Sequence, residues 1–178
     1  MMTPFFTIGH STRPIAEFIG LLRESEIRLV ADVRTVPRSR TNPQFNKDAL
    51  AETLAEAEIG YAHIAALGGL RGRQRDVPAE TNGYWQNDSF HNFADYALGT
   101  GFSAGMATLR EAGHRARCAV MCAEAVWWRC HRRIIADYLI AGGETVLHIL
   151  GPKHVDAARM TEAARPGSDG TLTYPAIR

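Results

Sequence analysis

The 178-residue sequence contains almost no lysine, few cysteines and no long apolar run. Only Lys47 and Lys153 are lysines, and the other 18 basic residues are arginines. Three cysteines do not form the framework of a small disulfide-rich secreted protein. No stretch approaches the roughly 18 to 20 apolar residues that cross a bilayer, and the N-terminus lacks the charged and apolar regions of a signal peptide. We therefore expect a cytoplasmic protein without a membrane partner.

The overall composition is that of an ordinary globular protein, with 46% hydrophobic and 22% charged residues. A formal net charge of +1 gives no global attraction to nucleic acid or to membranes. The excess of arginine over lysine has two interpretations. It reflects the base composition of the gene, or it reflects sites at which planar guanidinium groups bind phosphate or carboxylate. Composition alone leaves both open.

Several well-known catalytic and binding motifs are missing from the sequence. It contains no GxGxxG or GxxxxGK[ST] phosphate loop and no GxSxG elbow. A tyrosine-phosphatase loop requires Cys-x5-Arg, whereas six residues separate Cys122 from Arg129. The spacing of Cys122 and Cys130 is not that of a zinc finger. We therefore predict no metal ligands, and the sequence does not identify a cofactor.

Short apolar runs alternate with amphipathic helical segments along the chain, which is typical of a parallel sheet between two helix layers. We predict one α/β domain over residues 1–178, with a core at 5–150 and a C-terminal extension at 151–178. The sheet is expected to have five mainly parallel strands and helices on both faces. The predicted strands are 5–9, 29–33, 61–67, 118–122 and 145–150. The predicted helices are 14–25 with Thr12 as N-cap, 47–58, 84–98, 103–113, 127–141 and 155–164, with an edge strand at 172–174.

Polar and reactive side chains follow the predicted strands, at the edge where ligands bind in open α/β sheets. This placement predicts that distant segments meet at one site. Cys122 would be a nucleophile, Glu124 and His131 acid or base groups, and His10 and Asp32 would orient or share protons. The residues predicted to hold an anion come from four segments: Ser11, Arg34, Ser39, Arg40, Gly68, Gly69 and Arg132.

Each of these residues also has a purely structural interpretation. On the predicted helix 127–141, His131 points inward, Cys130 lies at the margin of that face, and Arg132 lies away from its centre. His131 is then either a buried, hydrogen-bonded histidine or a site residue. Cys118 lies in the middle of a strand and is expected to be an inert core residue. Asp32 is costly to bury unless it is paired, for which Arg34 and His10 are the candidates.

Five ordered blocks of the sequence resemble the family named domain of unknown function 488. They are Thr7-Ile8-Gly9-His10-Ser11, Asp32-Val33-Arg34 with Pro37, Ser39 and Arg40, Leu67-Gly68-Gly69, Cys122-Ala123-Glu124 with Cys130-His131-Arg132, and His148-Ile149. The chain departs from the family pattern at Ala125-Val126-Trp127-Trp128, where the family often has an acidic residue and a proline. The resemblance implies a Rossmann-like α/β fold and marks the same residues, but it implies no activity.

Three functional hypotheses follow from these patterns. The first is an enzyme acting on a phosphate-bearing or other anionic substrate, such as a nucleotide or nucleic acid, through the Cys-His-Arg motif. The second is a non-catalytic module that binds nucleotide or nucleic acid at the same edge. The third is a thiol redox or metal-responsive protein that uses Cys122 and Cys130. The sequence does not determine the oligomeric state.

Overall fold

A computed structural model describes residues 3–178, which form a central sheet with helices on both faces. The main strands are β1 (Phe5–Gly9), β2 (Leu29–Asp32), β3 (Gly60–His63), β4 (Cys118–Cys122), β5 (Val146–Gly151) and β6 (His154–Ala157). The helices are α1 (Ile15–Glu24), α2 (Lys47–Glu56), α3 (Asp88–Tyr96), α4 (Thr100–Arg115) and α5 (Arg132–Ala141). A separate hairpin consists of β7 (Arg165–Pro166) and β8 (Leu172–Thr173).

The main sheet has the strand order β3-β2-β4-β1-β5-β6. The first five strands along the chain pair in parallel, and β6 pairs antiparallel with β5. The α/β fold class is therefore confirmed, with a six-stranded sheet in place of the expected five strands. Within residues 3–178, no helix combines the length and the apolar character needed to cross a membrane.

The central strands are buried on both faces, so their residues alternate between two apolar layers. In β4, Ala119 and Met121 pack in the layer that contains residues of α1 and α2. Cys118, Val120 and Cys122 face the other layer, which contains residues of α3, α4 and α5. The chain leaves β1 through α1 on one face and leaves β4 through α5 on the other. The two connections therefore diverge at the carboxyl ends of β1 and β4, which is where open α/β sheets form binding crevices.

The predicted helix 127–141 is wrong over its first turn. A short 3-10 turn at Trp127–Arg129 is followed by an extended residue, Cys130, and α5 begins at Arg132. The ring of Trp127 stacks on His148 of β5, with ring centroids 4.8 Å apart. This contact between residues far apart in sequence holds the 3-10 turn in a position separate from α5. The periodicity of apolar residues does not reveal such a contact.

The C-terminal prediction also requires correction. Instead of a helix at 155–164, β6 pairs with β5 through a tight turn at Pro152-Lys153. Residues 172–173 pair with 165–166 in the separate hairpin, not at the edge of the main sheet. Tyr174 is fully buried and its hydroxyl donates to Asp137 of α5 at 2.8 Å. The C-terminal residues therefore pack against the layer that contains α5.

Two local predictions differ from the structure for backbone reasons. Thr12 does not cap α1, because the N-cap position is Pro14 and no side chain caps this helix end. The third strand ends at His63, and Ala65–Leu67 form a 3-10 turn before Gly68.

Candidate active site

An open cavity of about 550 Å³ lies at the carboxyl ends of β2 and β4. Buried Cys122 and Cys130 line it together with His131, and Gly69 lies against the His131 ring. The residues that line it come from four segments: Arg34, Thr35, Val36, Arg38, Gly69, Leu70, Asn87, Ser89, Phe90, Cys122, Ala123, Glu124, Arg129, Cys130 and His131. Segments far apart in sequence thus meet at this edge of the sheet.

Two free thiols and one guanidinium form the centre of the site. The Sγ atoms of Cys122 and Cys130 are 2.6 Å apart, with the Cys130 thiol donating to Cys122. Nη1 of Arg132 donates to Cys122 Sγ at 2.8 Å, and the Arg132 backbone N–H donates to Cys130 Sγ at 3.4 Å. Arg132, at the start of α5, therefore contacts both sulfur atoms.

The pKa values of the two thiols are shifted in opposite directions. Burial would raise the pKa of Cys122, but the hydrogen bond from Cys130 and the charge of Arg132 outweigh burial and lower this pKa to about 7. Burial and the hydrogen bond to Cys122 raise the pKa of Cys130 well above its ordinary value. Cys118, in the core as expected, has its pKa raised to about 12 by burial. Cys122 is therefore the thiolate of the pair.

Arg132 is fully buried, and no carboxylate within residues 3–178 forms an ion pair with it. Its remaining hydrogen bonds go to backbone carbonyls, from Nη1 to Glu124 at 2.6 Å and from Nη2 to Ala125 at 3.2 Å. A buried charge is costly unless it is paired. The Cys122 thiolate is the counter-charge that this site offers. The sequence predicted Arg132 away from the centre of the inward face of helix 127–141. In the structure α5 begins at Arg132 and this side chain is fully buried.

His131 lies at the N-cap position of α5. Its ring lines the cavity on one side and packs against the core residue Phe93. Nε2–H donates to the backbone oxygen of Val33 at 2.8 Å, which leaves Nδ1 as an acceptor 3.5 Å from Cys130 Sγ. Burial lowers the pKa of His131 to about 4, so the ring is neutral near pH 7. A Cβ on Gly69 would lie only 2.5 Å from Nδ1, so this close approach requires glycine.

Asp32 forms a buried ion pair behind the cavity, as its burial in a strand predicted. Its carboxylate accepts from Arg34 Nε at 2.9 Å and Nη2 at 2.7 Å, and from the Tyr61 hydroxyl at 2.5 Å. Arg34 Nη2 also donates to the Phe45 carbonyl. Arg34 lines the cavity, but most of its donors are already used within the protein.

His10 stacks on Phe45 and lies beside Arg34, outside the cavity lining. Nδ1–H donates to the Ser11 carbonyl at 2.8 Å, so Nε2 can accept from Arg34 Nη1 at 3.4 Å. Burial lowers the pKa of His10, which favours the neutral ring. Its contacts are those of a residue that supports the Asp32–Arg34 pair.

The other residues predicted for the site take varied positions. The Glu124 side chain is exposed at the cavity, while its backbone oxygen contacts Arg132. Ser11 has a left-handed backbone (φ 49°), and its N–H donates to Ala123. Ser39 accepts from the Asn42 N–H in a turn next to exposed Arg40, and neither lines the cavity. Gly68 is buried against Thr35, where a Cβ would clash.

The cavity also has an apolar wall that sequence reasoning missed. Leu70 is 73% exposed and Val36 is 52% exposed, and both line the cavity with half-buried Phe90. Leu70 is held in place because its N–H donates to Thr35 Oγ1 at 2.8 Å. In the sequence, the sign of this role was that Leu70 directly follows Gly68-Gly69, which were predicted to lie at the site. Large apolar side chains held at a cavity mouth favour a ligand with an apolar portion.

Two exposed arginines, Arg38 and Arg129, also line the cavity. Neither forms an ion pair with any carboxylate of the described chain. Across residues 3–178, no group of three or more His, Cys, Asp or Glu side chains is arranged to hold a metal ion. Arg38 and Arg129 bring positive charge to the cavity, which the exposed carboxyl of Glu124 also lines.

Comparison with known proteins identifies a family but no characterised relative. No curated protein and no solved structure matches the chain significantly. The family described as domain of unknown function DUF488 matches residues 14–139, well over half of the chain, including β2, β4 and the segment Cys122–Arg132. Three of the five sequence blocks lie within this match, and the blocks at 7–11 and 148–149 lie outside it. The chain belongs to the DUF488 family.

Proposed function

We propose that this protein is an enzyme that uses Cys122 as a nucleophile on an anionic substrate. The observation that carries the proposal is the contact between Cys122 Sγ and the buried Arg132 guanidinium, 2.8 Å apart, at the wall of an open cavity. A thiolate is the reactive form of cysteine, and a neighbouring guanidinium stabilises it. A pKa of about 7 makes a large fraction of Cys122 reactive at neutral pH.

The charges around the cavity support an anionic substrate. Arg38 and Arg129 have guanidinium groups free to bind phosphate or carboxylate, and Glu124 is the acidic residue that lines the cavity. The apolar wall of Val36, Leu70 and Phe90 suits an uncharged portion of the same molecule, such as the base of a nucleotide. In this proposal the exposed Glu124 carboxyl, which lines the cavity, exchanges a proton with the departing group.

Selective alkylation tests the nucleophile without knowledge of the substrate. The purified protein is treated with iodoacetamide over a range of pH, and labelling of each cysteine is followed by mass spectrometry of peptides. We expect Cys122 to react much faster than Cys118, with a midpoint near pH 7. Cys118→Ser is the matched control and should leave this profile unchanged. Slow, equal labelling of all three cysteines would contradict the proposal.

Protection experiments then test the anion site. Pyrophosphate and adenosine monophosphate should slow the alkylation of Cys122, and the nucleotide should protect at lower concentration because it also contacts the apolar wall. Arg38→Ala with Arg129→Ala should weaken protection roughly tenfold or more, since a hydrogen bond to a charged group contributes about 1.5–3 kcal/mol. Unchanged protection in this double variant would remove these arginines from the proposal.

Catalysis is separated from binding alone by a turnover screen. Phosphate, sulfate and carboxylate esters with an aromatic group are incubated with the protein and with Cys122→Ser. Turnover that the substitution abolishes supports an enzyme. Salt-sensitive binding of nucleotide or nucleic acid that survives Cys122→Ala, without turnover, would favour a binding module instead.

A further inference from the structure

We propose that Cys122 and Cys130 form a redox-active dithiol site, in which Cys130 resolves the sulfenic acid that a hydroperoxide forms on Cys122. This inference rests on the proposed reactivity of Cys122 and adds a second thiol and an oxidising co-substrate. It depends on three observations: the adjacency of the two sulfur atoms, the lone pair of His131, and the access of all three residues to the cavity.

The geometry assigns a different task to each sulfur atom. Cys122 receives two hydrogen bonds, one from Cys130 and one from Arg132, and is therefore the sulfur atom that carries negative charge. Cys130 keeps its proton and must lose it before it can attack. Nδ1 of His131 lies 3.5 Å from Cys130 Sγ, and it carries the lone pair of the neutral ring because Nε2–H donates to Val33. His131 is thus the relay for the Cys130 proton; its lowered pKa means that the ring passes the proton to the departing hydroxide and does not keep it.

The reaction balances with a hydroperoxide as the oxidant. The Cys122 thiolate attacks the terminal oxygen of ROOH, the O–O bond breaks, and Cys122 becomes a sulfenic acid while RO⁻ takes a proton from water and leaves as ROH. Cys130 then attacks the sulfenic sulfur, and its proton passes through His131 Nδ1 to the departing hydroxide. One disulfide forms and one water leaves. An external dithiol returns the pair to the reduced state.

The surroundings favour this pair over oxidation of any other cysteine. Cys118 lies in the middle of β4, fully buried and away from the cavity lining. Cys122 and Cys130 are also buried, but both line the open cavity, so a small peroxide reaches them. Oxidation should therefore remove two of the three thiols and leave Cys118 reduced.

Peroxide titration followed by intact-mass and peptide analysis tests the inference. With hydrogen peroxide, the wild type should lose two hydrogen atoms, gain a Cys122–Cys130 disulfide, and recover fully with dithiothreitol. Cys130→Ser should instead accumulate a sulfenic acid that dimedone traps on Cys122, and then sulfinic acid. Cys118→Ser should behave as the wild type. Sulfinic acid forming as fast in the wild type as in Cys130→Ser would overturn the inference.

His131→Gln separates proton transfer from structural support. Gln can retain the donor to Val33 but lacks the Nδ1 lone pair, so disulfide formation should slow roughly tenfold or more. The alkylation midpoint of Cys122 in the same variant reports the thiolate separately. A slower disulfide step with the midpoint still near pH 7 assigns the loss to proton transfer, and a raised midpoint would count against this role of His131. An unchanged rate of disulfide formation would exclude His131 as the proton acceptor.

If iodoacetamide fails to label Cys122 preferentially, the proposed nucleophile fails. If labelling succeeds and no disulfide forms, only the dithiol site fails.

Discussion

Replacing Cys122 by Ser should remove a pH-dependent part of the free energy of unfolding. The pKa of Cys122 falls from 9.0 to about 7 on folding, because Cys130 and Arg132 stabilise its thiolate more than burial penalises it. A lowered acid pKa stabilises the folded state above the unfolded value, and this stabilisation is lost as the pH falls through the folded value. The Cys122 contribution is therefore complete above pH 9 and absent below pH 7.

The expected size follows from the shift. One pKa unit corresponds to about 1.4 kcal/mol, so the free energy of unfolding should gain up to about 3 kcal/mol from this thiolate. Urea denaturation of the wild type and of Cys122→Ser at about pH 6 and about pH 9 measures it as a double difference. The contributions of titrating groups away from the site cancel between the two proteins, whereas that of Cys130 changes with Cys122, because the hydrogen bond to Cys122 helps to raise the pKa of Cys130. A difference between them that is the same at both pH values would refute the thiolate–guanidinium pair.

Three further substitutions test neighbouring parts of the site. Asp32→Asn breaks a buried ion pair with Arg34 and should lower the free energy of unfolding by about 3–5 kcal/mol. The alkylation midpoint of Cys122 should stay near pH 7, and a shifted midpoint would show that the ion pair is coupled directly to the thiol. Gly69→Ala should cost about 1–3 kcal/mol in urea unfolding, because its Cβ would clash with His131, and an unchanged stability would contradict this packing. Glu124→Gln should leave the alkylation profile of Cys122 unchanged, since only the backbone oxygen of Glu124 contacts Arg132; a raised midpoint would count against this geometry.

The sequence was sufficient to predict the central strands and the convergence at their ends. Cys118–Cys122 is a five-residue apolar run, and it is a fully buried strand with these bounds. Because parallel strands bring their carboxyl ends to one edge, the sequence order predicted that Cys122, Glu124, His131 and Arg34 would meet. All four line the same cavity. Their roles in catalysis and anion binding stay predictions.

The segment between β4 and α5 could not be predicted from local pattern. Residues 127–131 contain neither Gly nor Pro, so apolar periodicity continued the helix backwards to Trp127. In the structure, Trp127 stacks on His148 of β5, and Cys130 Sγ accepts the Arg132 N–H at the start of α5. Both contacts depend on tertiary structure. As a result, Cys130 lies before α5 and not within it, and its thiol contacts Cys122.

The buried Arg132 links the shape of the site to its chemistry. One guanidinium binds Cys122 Sγ and the carbonyls of Glu124 and Ala125, so it fixes the turn after β4 and the charge of the thiol together. Gly9 permits this arrangement, because any Cβ there would overlap the Glu124 carbonyl and approach Arg132 Nη1 to 2.7 Å. Lysine has a compact ammonium group and lacks the planar fork that reaches three acceptors. The loop conformation and the thiolate therefore depend on the same side chain, and a substitution that disturbs one should disturb the other.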